Sequence, residues 1–199
     1  MDQRDNLIQA VEDFSPFNEQ ETKDKELILR YLHQGDSCFY RDNYEAHFSA
    51  SGWVVNPSRD KVLMAYHNIY DSWAWTGGHA DGCMDLLQVA VKEAMEETGI
   101  KQVTPVCKDI FSLEILTVNG HEKKGVYVPS HLHLNVTYLL EADEHQQIRN
   151  KEDENSAVGW FSLEPCLKAV KEPWMRDRIY EKLLQKMQNI GINRKLKNN

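Results

Sequence analysis

Cysteine is scarce in this sequence, and the few residues present lie far apart. Cys38, Cys83, Cys107 and Cys166 form no CxxC pair in 199 residues. Such spacing argues against a zinc knuckle or a disulfide framework and fits reduced thiols, so the expected location is cytoplasmic. Long apolar runs are missing too; none approaches the roughly 18 residues that span a bilayer. Met1 to Phe14 mixes Asp, Arg, Gln and Glu among its apolar residues, so no signal-peptide core is expected there. Positive charge is in deficit: 23 Lys and Arg stand against 31 Asp and Glu, a formal charge of −8. Phosphate backbones and anionic membrane surfaces select for the opposite balance, so neither a nucleic-acid polymer nor a membrane is an expected partner. There is no internal repeat.

What is present suits a folded chain. Apolar residues make up 41% and charged residues 27%, a globular rather than a disordered composition. The length suffices for one core, and no linker divides it, so residues 1–199 are expected to form a single domain. Within it, 1–38 is a helical segment, 39–170 the core, and 171–199 a C-terminal helix with a basic tail at Arg194, Lys195 and Lys197.

The pattern of elements follows from period and punctuation. Asn18 and Glu21 have capping-box spacing, Ile28, Tyr31 and Leu32 form one apolar stripe, and Gly35 marks a stop. From about residue 46 the period becomes two, and a strand runs through Trp53-Val54-Val55. Asn56 to Asp60 is a turn, with Lys61 to Tyr66 as the return strand. Thr76 to Gly82 reads as a glycine-bearing loop. A helix is expected from Asp85 as N-cap to about Thr98, with Gly99 as its stop. Further strands are expected at 111–118, 132–140 and 157–161, with a polar loop at 141–155. The last helix begins near Pro173, carries the stripe Ile179, Leu183, Met187 and Ile190, and is expected to end at Gly191. Irregular alternation of strands and helices predicts an α/β fold with a mixed sheet between helices.

The chemistry concentrates in Gly77 to Ile100. Glu93, Glu96 and Glu97 stand at i, i+3 and i+4 of one helix, on one side of it. Like charges so spaced repel, and they stand at the C-terminal end, where the helix dipole disfavours anions. The group calls for a cation, and hard carboxylate oxygens favour Mg²⁺ or Mn²⁺ over zinc. For such a triplet alone, a solvated acidic face is the competing explanation.

Here the sequence resembles the Nudix hydrolases, whose signature is G-x5-E-x7-R-E-U-x-E-E-x-G-U, with U a bulky aliphatic residue. Gly78, Glu93, Glu96, Glu97, Gly99 and Ile100 fall in register, and Ala94 is a small residue at a U position. Two positions depart: Met84 replaces the Glu and Lys92 the Arg, a pair that in the family braces the loop against the helix. Met accepts no such bond and Lys lacks the forked guanidinium. The resemblance extends to the flanks. The hairpin leading into Trp75-Thr76-Gly77-Gly78 and the segment Glu154 to Phe161 look like the family's approach to the box and its late acidic loop. In relatives an acid six residues before the tryptophan adds a carboxylate, and Glu154 has that spacing from Trp160.

The resemblance implies a Nudix-type α/β/α sandwich and hydrolysis of a diphosphate linkage in a nucleoside diphosphate joined to a group X. It assigns Glu93, Glu96, Glu97 and the carbonyl of Gly77 to the metal, with Glu93, Glu97 or Glu154 taking the water proton. The expected partner is a small nucleotide or diphosphate substrate, and a homodimer is left open. The alternative is a non-catalytic Nudix-like ligand-binding module, which Met84 and Lys92 favour and the three glutamates oppose. An isoprenoid diphosphate isomerase of the same superfold ranks lower, since Cys83 lies inside the box and does not match that pattern.

Two polar stripes suggest a substrate face. His131, His133, Asn135 and Thr137 alternate on one strand, and His47, Ser49 and Ser51 on another. A covered sheet should be apolar on both faces, so these stripes predict a cavity or cleft, with an exposed sheet edge as the competing explanation. The expected substrate contacts are His47, His131, His133, Asn135 and Lys92. Zinc is not expected among the eight histidines, because no pair has ligand spacing with a cysteine. Tyr70, Trp73 and Trp75 are read as core before they are read as base-stacking residues.

Overall fold

The computed structural model describes residues 2–123 and 125–197, apart from the side chains of Lys123 and of residues 191–197. Two helices open the chain, α1 (Gln3–Asp13) and α2 (Glu19–Gln34). Strands β1 (Ala46–Val55), β2 (Lys61–His67), β3 (Ser72–Ala74) and β4 (Thr76–His79) lead to helix α3 (Leu86–Thr98). Then come β5 (Thr104–Pro105), β6 (Ser112–Val118), β7 (His121–Lys123), β8 (Val126–Val128), β9 (His131–Glu141) and β10 (Asn155–Ser162). Helix α4 (Leu163–Ala169), a π-helical stretch (Met175–Tyr180) and α5 (Glu181–Lys197) close the chain.

Eight of the strands form one mixed sheet with the central order β10-β2-β1-β9-β5; β7 and β8 form a separate hairpin. β1 pairs in parallel with β9 over its full length, with His47 opposite His133 and Ser51 opposite Thr137. The other pairings are antiparallel, including β4 on β1 and β6 on β9.

All ten residues of β1 are buried, because helices cover both faces of the sheet. On one face Phe48, Ala50, Val54, Leu134 and Val136 pack against Leu7 and Val11 of α1, Ile28 and Leu32 of α2, and Ala90 and Ala94 of α3. On the other, Trp53, Val55 and Leu139 pack against Cys166, Ile179, Tyr180 and Leu183. Burial of these apolar surfaces is the main favourable term for the fold. Helices on both faces of a mixed sheet make the expected α/β/α sandwich.

Two local expectations change. The glycine segment after Trp75 is strand as far as His79, because its backbone pairs with β1 from Ser49 to Gly52. The last helix runs through Gly191 instead of ending there. The tail residues Arg194, Lys195 and Lys197 have side chains outside the described residues. Among the described residues no helix is long and apolar enough to cross a membrane.

Candidate active site

Helix α3 carries the box glutamates, and its ends are fixed by local chemistry. The Asp85 carboxylate accepts the Gln88 N–H at 3.0 Å as an N-cap, and Gly99 ends the helix at a left-handed φ of 71°. α3 lies over β4, and β4 lies so close to β1 that glycine is required: a methyl group on Gly77 would stand 2.8 Å from the Ala50 carbonyl oxygen. The backbone N–H of Gly77 donates to Glu97 Oε1 at 3.1 Å. β4 itself is held from behind, where the Trp75 N–H donates to the buried Tyr180 hydroxyl at 3.3 Å.

Three carboxylates converge here. Glu93, Glu97 and Glu154 each present an oxygen within 4.8 Å of the others. Glu97 is 7% exposed, and burial pushes its carboxyl up to about 8; the neighbouring Glu93 and Glu154 charges push the same way. Burial also raises Glu93, against the pull of Lys92. Glu154 stands at the end of a turn before β10, and Asn155 fixes that turn. The Asn155 side chain donates to the Glu97 carbonyl at 3.0 Å and accepts from the Lys151 N–H at 3.1 Å, which ties the turn to the end of α3. Crowded carboxylates, of which Glu97 is buried, Glu93 half-buried and Glu154 exposed and paired with Lys151 at 2.9 Å, are the donor set of a hard divalent cation, so these residues fit the metal that the resemblance implies. Glu96 is not in the trio. It faces solvent and pairs with Lys92 at 3.5 Å and Lys151 at 3.9 Å.

The polar face predicted to line a cleft is largely sealed. Ser49, Ser51, Asn135 and Thr137 are 5% exposed or less. Asn135 accepts from the hydroxyls of Ser49 and Ser51 at 3.0 and 2.9 Å and donates to Glu114 at 2.9 Å and Thr137 at 3.1 Å. Its amide is therefore fully used within the sheet. Glu114 accepts in turn from Lys182 of α5 at 3.0 Å, and Lys182 and Lys186 both meet Glu21 of α2, at 3.3 and 2.6 Å. At the other end of this face four imidazoles gather. His47, His79 and His133 offer ring nitrogens within 4.8 Å of one another, and His131 Nε2 lies 3.2 Å from His133 Nε2. Burial lowers His47, and it drives His133 down to about 2 with help from the surrounding histidines.

A family model described as NUDIX domain matches residues 46–183. The chain belongs to the Nudix family. It is thus a Nudix hydrolase, acting on phosphoric anhydrides. Solved structures agree on the fold. The Ap4A hydrolase of C. elegans is 21% identical, with 73% of this chain and 98% of that one covered and a TM-score of 0.50. The dihydroneopterin triphosphate pyrophosphohydrolase of E. coli is 16% identical over 68% and 92%, also with a TM-score of 0.50. RenU, a Nudix hydrolase of M. smegmatis, is 17% identical over 72% and 87% at the same score. No curated protein matches the chain.

The two departures from the Nudix box have separate placements. Met84 is half-buried against the apolar cluster beneath α3, so an apolar contact stands where the box has an acid. Lys92 turns to Glu93 at 3.4 Å and Glu96 and is 60% exposed. It flanks the carboxylates instead of bracing the loop. Trp75 is core, edge-on to Tyr180, and Tyr70 is exposed. Sequence reasoning passed over Asn155, Lys151 and His79. The only advance signal for His79 was its place directly after Gly77-Gly78, which becomes informative once that segment is known to be a strand.

Proposed function

We propose that this Nudix protein hydrolyses a diphosphate linkage in a nucleoside diphosphate joined to a group X, or in a related nucleotide, with Mg²⁺ or Mn²⁺. The convergence of Glu93, Glu97 and Glu154 carries this reading. These three would hold the ion, joined by the Gly77 carbonyl as the resemblance implies, while Glu96 supports Lys92 and Lys151 from the solvent side. A divalent ion bound there supplies charge neutralisation for the phosphates and orientation for the attacking water.

The residues of the chain do the rest. Gly77 N–H fixes the Glu97 carboxylate, and Asn155 fixes the approach of Glu154. The water proton goes to one carboxylate of the trio. The exposed ammonium of Lys92 is placed to meet phosphate oxygens. His133, half-buried on the other side of the Gly77–His79 segment, is the proposed contact on X, while His47 and His131 are buried behind it and Asn135 holds the strands that carry them.

The test is hydrolysis of a panel of dinucleoside polyphosphates, nucleotide sugars, ADP-ribose and nucleoside triphosphates with Mg²⁺ or Mn²⁺, beside Glu97→Gln. Metal-dependent release from one member, lost in the variant, is the expected result and names X. No release from any member, or equal release by Glu97→Gln, would point instead to a ligand-binding module.

A further inference from the structure

The histidine cluster has no part in the chemistry of the carboxylates. Gly78 and His79 alternate along β4, and Gly78 faces Glu93, so His79 projects from the opposite face of the strand. His79 stands opposite Ser49 on β1, and His47 stands opposite His133 on β9. Three adjacent strands thus bring imidazoles to one place. Their centroids are 5.2 Å apart for His47–His79, 5.0 Å for His47–His133 and 4.7 Å for His79–His133.

The tautomers are set by partners that only accept. His47 Nδ1 lies 3.1 Å from the Asn43 carbonyl oxygen, so Nδ1 carries the proton and Nε2 holds the lone pair. That Nε2 is buried and has no hydrogen-bond partner among the described residues, in a residue 4% exposed. Leaving such an atom unpaired is unfavourable. His131 repeats the arrangement, with Nδ1 2.8 Å from the Pro129 carbonyl oxygen and Nε2 turned to His133. An imidazole that gives its outer N–H to a backbone carbonyl and aims its lone pair inward has the orientation found in metal-ligating histidines.

We propose that His47, His79 and His133 form a second metal site, for an imidazole-preferring ion of the Zn²⁺ class, with His131 as the positioning residue behind His133. The present separation of up to 4.8 Å needs only side-chain adjustment to reach the ~3.3 Å between ligand nitrogens in a tetrahedral zinc site. Three neutral nitrogens with no thiolate suit Zn²⁺ far better than Mg²⁺, which requires oxygen. Three ligands leave a fourth position open to water or to a substrate oxygen.

The test uses the full chain, stripped by chelator and titrated with Zn²⁺ against a chromophoric competitor. One equivalent should bind, persist in Glu97→Gln, and weaken more than about 100-fold, beyond the loss seen when only an outer partner is removed, in His79→Ala and in His133→Ala. X-ray absorption of the Zn²⁺-loaded wild type should show three imidazole nitrogens at about 2.0 Å, a readout that survives any folding failure of the variants. An oxygen-dominated shell, no uptake, or uptake lost in Glu97→Gln but kept in His79→Ala would overturn the proposal.

Discussion

A methyl group on Gly78 would stand 2.5 Å from Cδ of Glu93, well inside van der Waals contact distance. Glycine at this position is what lets α3 bring its first box glutamate against β4. Gly78→Ala should displace Glu93 by a fraction of an ångström to an ångström while the sheet pairing persists. A shift of that size costs a catalytic centre about 100-fold. Steady-state kcat for the substrate found in the panel, with circular dichroism to show retained fold, checks it; an unchanged kcat would remove Glu93 from the site.

The raised carboxyl of Glu97 predicts a link between pH and stability. Its folded pKa of about 8 lies above the ordinary value of 4.5, so between these the native state holds more proton than the unfolded chain. Metal-free protein should therefore lose stability as pH rises from about 4.5 to 8. A cation on the trio should restore it, so Mn²⁺ should raise Tm more at pH 8 than at pH 5. Glu97→Gln should flatten both effects. Thermal melts with and without chelator at the two pH values are the measurement.

Asn155 acts on Glu154 through the backbone it holds. Asn155→Ala frees the turn from α3 and should weaken Mn²⁺ binding by about 10–100-fold, the size of effect typical of groups behind a metal ligand. A merely structural asparagine would lower Tm and leave Mn²⁺ affinity alone, so titration by electron paramagnetic resonance separates the two.

The buried charges make a prediction of another kind. Lys182, 3% exposed, stands between Glu114 and Glu21, both fully buried. Lys182→Met would leave two acids facing one another and should cost about 3–5 kcal/mol in urea unfolding. Burial alone would raise Glu21, yet Lys182 and Lys186 pull it below the usual carboxylate range. Its contribution is therefore present above 4.5 and lost as pH falls through the depressed value. In Lys182→Met that acid sensitivity should shift upward in pH.

Helix α3 and its glutamates were legible because a helical period, an N-cap and a stop glycine all agree within one short stretch. Glu154 was legible by its distance from Trp160. Glu96 was not: helical geometry places it with Glu93 and Glu97, but two lysines, one from a distant loop, draw it toward solvent. His47 and His133 were read as substrate contacts and not as metal ligands, because metal-site rules look for ligands close in sequence, and the cluster draws on residues 47, 79 and 133 of separate strands. The stripe around Asn135 predicted a cleft; Lys182 fills that space, and nothing local marks one lysine of a helix as inward-facing. Gly191 does not end the last helix, since a glycine inside a helix costs only about 1 kcal/mol.

The ion pair between Glu21 and Lys186 joins residues 165 positions apart. During synthesis the second helix leaves the ribosome long before the cation that neutralises its buried acid exists. Until the last helix is made, docking α2 on the sheet would bury an uncompensated charge. Docking of α2 must then wait until Lys182 and Lys186 have been made, and a nascent chain that stops short of them should hold α2 open.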